Sequence, residues 1–130
     1  KVGNKSFEGL HMLKELDLSY TLFEYQIDSK PFQNLISLES LKISGRDIKR
    51  AENMFLPNPH LLQHLDIGKL DEFNNMFRNP SDYSNLLGLF VEHPWRNQTL
   101  SDGQFDGLNK LKRLDLLSID IPRLKPAMFE

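Results

Sequence analysis

Apolar residues fall along this chain at two superposed spacings. Within short stretches they alternate with polar ones, as in Leu16-Asp17-Leu18 and Leu65-Asp66-Ile67, which is the period of a strand with one face in a core and the other in water. Over a longer interval the whole local pattern returns. Phe7, Leu10, Leu13, Leu16 and Leu18 are followed at identical offsets by Phe32, Leu35, Leu38, Leu41 and Ile43, and again by Phe105, Leu108, Leu111, Leu114 and Leu116. Two weaker copies lie between them: Leu62, Leu65 and Ile67, preceded by Phe55 with one residue inserted, and Leu86, Leu89 and Val91, preceded by Tyr83. Phe129 begins a sixth copy. Measured at the third leucine, the copies recur at Leu16, Leu41, Leu65, Leu89 and Leu114, about every 24 to 25 residues, an interval typical of repeat architectures.

That spacing dictates an architecture. The tail of each copy predicts one short strand, and the leucines three and six residues upstream mark a chain that turns inward about once per three residues. The phenylalanine at the head plugs the far side of the same interior. No single copy can enclose these side chains, whereas stacked copies remove one another's leucine faces from water at about 25 cal/mol per Å². The expected fold is α/β in class: a solenoid with a curved parallel β-sheet on its concave face and loops and short helical turns on its convex face. Residues 1–130 form one array of about five repeats without separate domains.

The repeat resembles the leucine-rich-repeat family over nearly the whole chain. The order Phe-x-x-Leu-x-x-Leu-x-x-Leu-x-Leu, clearest in SFEGLHMLKELDLS and QFDGLNKLKRLDLL, is similar to the typical subclass of animal extracellular proteins, found in Toll and Toll-like receptors and related adhesion proteins. The ribonuclease-inhibitor subclass has longer, helical repeats. The plant subclass carries a Gly-x-Ile-Pro signature, of which Ile121-Pro122 is an echo without the glycine. Two departures from the family stand out. Its usual asparagine, five residues after the third leucine, is replaced by Thr21, Arg46, Leu70, Pro94 and Ile119, so irregular turns are expected, with backbone groups satisfied by other means or by water. Cysteine-rich caps are also missing, which predicts an uncapped segment of a longer ectodomain that folds poorly alone.

Composition narrows the function without choosing a ligand. The 130 residues are 39% apolar and 26% charged with a net charge of −2, which argues against a general nucleic-acid binder or a polybasic membrane-surface protein. No apolar run approaches the roughly 18 to 20 residues of a membrane span, and Lys1 to Ser6 lack the hydrophobic stretch of a signal peptide. The absence of cysteine excludes disulfides, thiolate zinc sites and cysteine nucleophiles but does not fix the compartment. His11, His60, His64 and His93 lack the i, i+4 spacing of a helical metal site, and no phosphate loop or nucleophile elbow is present. Neither enzymatic activity, nor a metal, nor a cofactor is expected.

Candidate residues follow from stacking the strands. One outward column is Asp17, Lys42, Asp66, Phe90 and Asp115; a second is Glu15, Ser40, His64, Gly88 and Arg113; a third is Ser19, Ser44, Gly68, Glu92 and Leu117. Asp17, Lys42, Asp66, Phe90, Asp115, His64, Glu92 and Arg113 are the candidate ligand-binding residues, with the exposed aromatic Phe90 as the main anchor. The competing reading is that Asp17, Lys42 and Asp66 only neutralise one another, at about 1 kcal/mol or less, and that the Leu-Gly-Leu-Phe-Val context bulges and buries Phe90. Asn4-Lys5-Ser6 and Asn97-Gln98-Thr99 match the N-glycosylation signal, while Asn79-Pro80-Ser81 fails on its proline. Trp95 beside His93 is either a contact anchor or packing on its own repeat. The stretch Asp71 to Ser84, with Phe73, Met76, Phe77 and Tyr83, is expected to be a lateral loop with a satellite apolar cluster.

The resemblance implies part of the extracellular region of a Toll-like innate immune or developmental receptor. Its partners would be a protein ligand or a microbial product, with pairing into a receptor homodimer, a single-pass membrane anchor outside this segment and no nucleic acid. A cell-adhesion or matrix repeat protein and a cytosolic repeat scaffold are the alternatives.

Overall fold

The computed structural model describes residues 2, 5–21, 31–44, 56–68, 79–92 and 102–117. Among them are five strands of five residues: β1 Glu15–Ser19, β2 Ser40–Ser44, β3 His64–Gly68, β4 Gly88–Glu92 and β5 Arg113–Leu117. They form one parallel sheet in chain order. Leu16, Leu41, Leu65, Leu89 and Leu114 stand opposite one another in unbroken register, so β4 carries no bulge at Phe90. This is the α/β solenoid of leucine-rich-repeat type that the sequence period predicts.

The strands are spaced this way because each coil completes its neighbour's interior. In β2, β3 and β4 the two inward residues, Leu41 and Ile43, Leu65 and Ile67, Leu89 and Val91, are almost wholly buried. The leucines three residues before each strand core, Leu38, Leu62 and Leu86, lie in the same cluster. Their counterparts in the first and fifth coils, Leu13, Leu16, Leu111, Leu114 and Leu116, are only partly buried, and Leu10 remains 43% exposed. Val2 also packs into the core.

Head positions are fixed by distance from the strand rather than by residue type. Nine residues before the third leucine stand Phe7, Phe32, Leu56, Pro80 and Phe105. Phe7, Phe32, Leu56 and Phe105 are buried, and the rings of Phe7 and Phe32 stack at 5.5 Å between centroids. Leu56 thus occupies the slot that the sequence pattern gave to Phe55, which lies outside the described residues. Tyr83 is buried too, but it fills the next slot, the place of Leu35 and Leu108, and Pro80 takes the head of its coil. Pro59 and Pro80 each open a short 3₁₀ turn, Pro59–Leu61 and Pro80–Tyr83, where a fixed φ and a missing N–H cost nothing.

Backbone satisfaction runs along the stack in a column just before the strands. The carbonyl of Lys14 accepts from the N–H groups of Glu39 and Ser40 at 2.8 and 2.9 Å, and the carbonyls of Glu39, Gln63 and Leu87 accept in the same paired way from the next coil. Side chains add rungs beside it. Asn58 Nδ2 donates to the Ile36 carbonyl at 2.7 Å, Asn85 Nδ2 donates to the His60 carbonyl at 2.8 Å, and Lys110 Nζ donates to Asn85 Oδ1 at 2.7 Å. These asparagines therefore bridge coils on the side that enters the strand. On the leaving side, where the family asparagine would stand, Thr21 N–H donates to the Leu18 carbonyl; Arg46, Leu70, Pro94 and Ile119 lie outside the described residues.

Gly9 and Gly107 occupy equivalent turn positions with φ of 83° and 82°, a region costly for any side chain. They differ in surroundings. A Cβ at Gly9 would meet nothing within 4 Å, whereas one at Gly107 would lie 3.1 Å from Ser81 Cα in the preceding coil. Gly9→Ala should therefore cost about 1–2 kcal/mol from backbone strain alone, and Gly107→Ala measurably more, because two coils must also separate; paired denaturant melts compare them. Phe32→Ala should cost about 3–5 kcal/mol in the same assay. Burial, and secondarily Asp82, pushes the Tyr83 phenol up to about 12. The folded state favours the neutral phenol, so stability should fall as pH rises from about 10 toward that value, and Tyr83→Phe should flatten this alkaline slope.

Candidate functional site

Period-two alternation leaves one face of the sheet without core contacts, and that face collects the candidate residues. The observed register places Asp17, Lys42, Asp66, Phe90 and Asp115 side by side across the five strands, flanked by Glu15, Ser40, His64, Gly88 and Arg113 on one side and by Ser19, Ser44, Gly68, Glu92 and Leu117 on the other. Phe90 is half-buried within a regular strand. Asn4, Asn97, His93, Trp95, Phe73, Met76 and Phe77 lie outside the described residues.

An open hollow of about 390 Å³ sits over β2 to β5 and is lined by Ser40, Lys42, His64, Asp66, Gly88, Phe90, Arg113 and Asp115 together with Leu41, Leu65 and Leu89. Of the eight binding candidates, six meet around it; Asp17 and Glu92 stand at its margins. Gly88 makes the hollow. It lies opposite His64 and Arg113 in the register, and a Cβ there would come 3.1 Å from His64 Nδ1. Both Gly88 and Ser40 are absent from the residues chosen by charge and aromaticity, although a glycine in an outward column is the sequence signal for a depression between taller side chains.

Charges on the face are partly matched. Lys42 Nζ lies 3.7 Å from Asp66, and Arg113 Nε donates to Asp115 Oδ2 at 2.6 Å within its own strand. Hydrogen bonds from the Ser19 hydroxyl and from its N–H hold the Asp17 carboxyl below its ordinary value, against a small opposing desolvation and with help from Lys42. Asp66 moves the other way. Burial raises its pKa more than Lys42 lowers it, and Asp17 and Glu92 push in the same direction as burial. Two carboxylates of one column, facing the same lysine, thus differ because one receives hydrogen bonds and the other is desolvated. Among the described residues no group of three or more His, Asp or Glu side chains is arranged to hold a metal ion. No helix among them is long and apolar enough to cross a membrane.

No protein-family model matches the chain, and no solved structure matches it. The chain is similar to Receptor like protein 23 of Arabidopsis thaliana, with 33% identity over 132 aligned positions. The alignment covers 82% of this chain and 14% of that much longer protein.

The opposite shifts can be read directly from side-chain carboxyl resonances during a pH titration. Asp66 should titrate above, and Asp17 below, the ordinary carboxylate value. Ser19→Ala should move Asp17 upward and leave Asp66 nearly still, whereas Lys42→Met should move Asp66 further upward. Equal midpoints for the two in the unsubstituted chain would contradict this account of the face.

Proposed function

We propose that the chain is part of the ligand-binding ectodomain of a leucine-rich-repeat receptor, held outside the cell, which binds another macromolecule on its sheet face and does not transform it. The observation that carries this reading is a five-strand face whose outward columns are largely polar and charged around one half-buried aromatic, Phe90, on a scaffold rigidified by an unbroken parallel register. Rigid repeat surfaces of this kind suit binding, since the site is assembled from several coils at little ordering cost. Similarity to a receptor-like protein supports the receptor class and an extracellular or membrane setting.

The finer reading is a Toll-like innate immune or developmental receptor that engages a protein ligand or a microbial product and pairs with a second copy. Its support is the phenylalanine-headed order of the first, second and fifth coils. The plant relative adds nothing to that subclass. In this setting Asn97 and Asn4 carry N-linked glycans, and a single-pass anchor lies outside these residues.

Two measurements test the reading. Peptide mapping of the full-length protein after enzymatic deglycosylation should find Asn97 or Asn4 converted. Lys42→Asn completes a glycosylation tripeptide with Ile43 and Ser44 and sets a sugar in the middle of the sheet face; Met12→Asn with Lys14→Thr sets one on the exposed flank. Surface cross-linking on cells that naturally express the protein should give a partner adduct that the first glycan abolishes and the second leaves intact. An adduct unaffected by either glycan would place binding elsewhere.

A further inference from the structure

We propose that the hollow at Gly88 receives an arginine side chain from a basic segment of the partner, with the guanidinium between Asp66 and Asp115 and its stem across the Phe90 ring. This rests on the sheet-face reading above and names the chemistry of what binds there.

The placement comes from three independent features. First, register sets Asp66, Phe90 and Asp115 on adjacent strands, so an aromatic face is bracketed by carboxylates at a strand spacing of about 4.8 Å on either side. Second, the missing side chain at Gly88, two residues before Phe90 on the same side of β4, opens the space beside the ring, with His64 as one wall. Third, the face as a whole is acidic: Glu15, Asp17, Asp66, Glu92 and Asp115 stand against Lys42 and Arg113 in the outward columns.

Lys42 and Arg113 also line the hollow, but each is engaged with one of its carboxylates, so an incoming anion would have to displace Asp66 or Asp115 while facing Glu92 and Asp17. A cation shares Asp66 with Lys42 and Asp115 with Arg113, but it enters a face whose outward columns carry five carboxylates against those two cations. Asp66 is the under-compensated member, because its lysine is 3.7 Å away and like charges on both neighbouring sides oppose its ionised form. Arginine suits this geometry better than lysine: its planar fork bridges separated carboxylates and stacks on an aromatic face, whereas an ammonium offers a point charge with a tighter hydration shell.

The test uses the full-length protein and fluorescein-labelled hexa-arginine, hexa-lysine, hexa-citrulline and hexa-aspartate peptides, read by fluorescence anisotropy. Hexa-arginine should bind most tightly and weaken as salt rises above about 0.15 M, and hexa-citrulline, of equal shape without charge, should bind at least about tenfold more weakly. Asp66→Asn and Phe90→Ala should each weaken hexa-arginine about three- to fivefold. Phe90→Leu, which keeps an apolar side chain in the strand and guards against a folding artefact, should weaken it similarly. Glu8→Gln and Asp106→Asn, exposed positions away from the sheet, should leave it unchanged. Equal binding of hexa-citrulline, preference for hexa-aspartate, or an effect of Glu8 and Asp106 as large as that of Asp66 would overturn the proposal. If the peptide series fails while the Lys42→Asn glycan still removes the partner adduct, the arginine assignment falls and the sheet face stands. If both fail, the sheet-face reading falls as well.

Discussion

A coil of about 24 residues cannot hide its own leucines, and the remaining features of this molecule follow from that deficit. Each of the three central coils buries its inward strand residues almost wholly between two neighbours, while Leu13 and Leu16 of the first coil and Leu111, Leu114 and Leu116 of the fifth remain partly open. Removing apolar surface drives the stacking, and its placement at alternate strand positions selects the register. The paired hydrogen bonds that each pre-strand carbonyl accepts from the next coil then hold that register in place. A slip by one residue would send Leu41, Leu65 and Leu89 into water and their charged neighbours into the core.

That division of labour fixes the candidate site before any ligand is considered. Once leucines must face inward at alternate positions, the residues between them are carried outward and aligned across strands. The surface is then written one residue per strand, and its relief depends on single substitutions such as glycine at position 88. Its electrostatics are local in the same way. Asp17 and Asp66 share a column and a lysine, yet their proton affinities move apart because a serine two residues along donates to one and burial desolvates the other.

The strands, their order and all three outward columns were legible in the sequence, since identical offsets between copies leave one consistent alignment. Legibility ended where residue type and residue position disagree. Phe55 and Tyr83 look like head residues by size, but the constant distance to the strand assigns that slot to Leu56 and Pro80, and Tyr83 serves as an outsized substitute for a leucine. The missing asparagine after the strand predicts another way of satisfying backbone groups in those turns, of which only the one at Thr21 lies within the described residues. It could not point to Asn58 and Asn85 on the opposite side, because that depends on which carbonyls the neighbouring coil leaves within reach. The hollow itself was hidden for a related reason: its defining residue is the one without a side chain.

The carbonyl column has a mechanical consequence. Its bonds, like those of the sheet, join one coil to the next, so tension applied between the two ends of the array loads the coil interfaces in series and each carries the full force. Extension would then proceed by peeling, one interface at a time, beginning at whichever has the least buried leucine surface. Coils still stacked at any stage of such peeling would keep their share of the sheet face, because its register is held between neighbours.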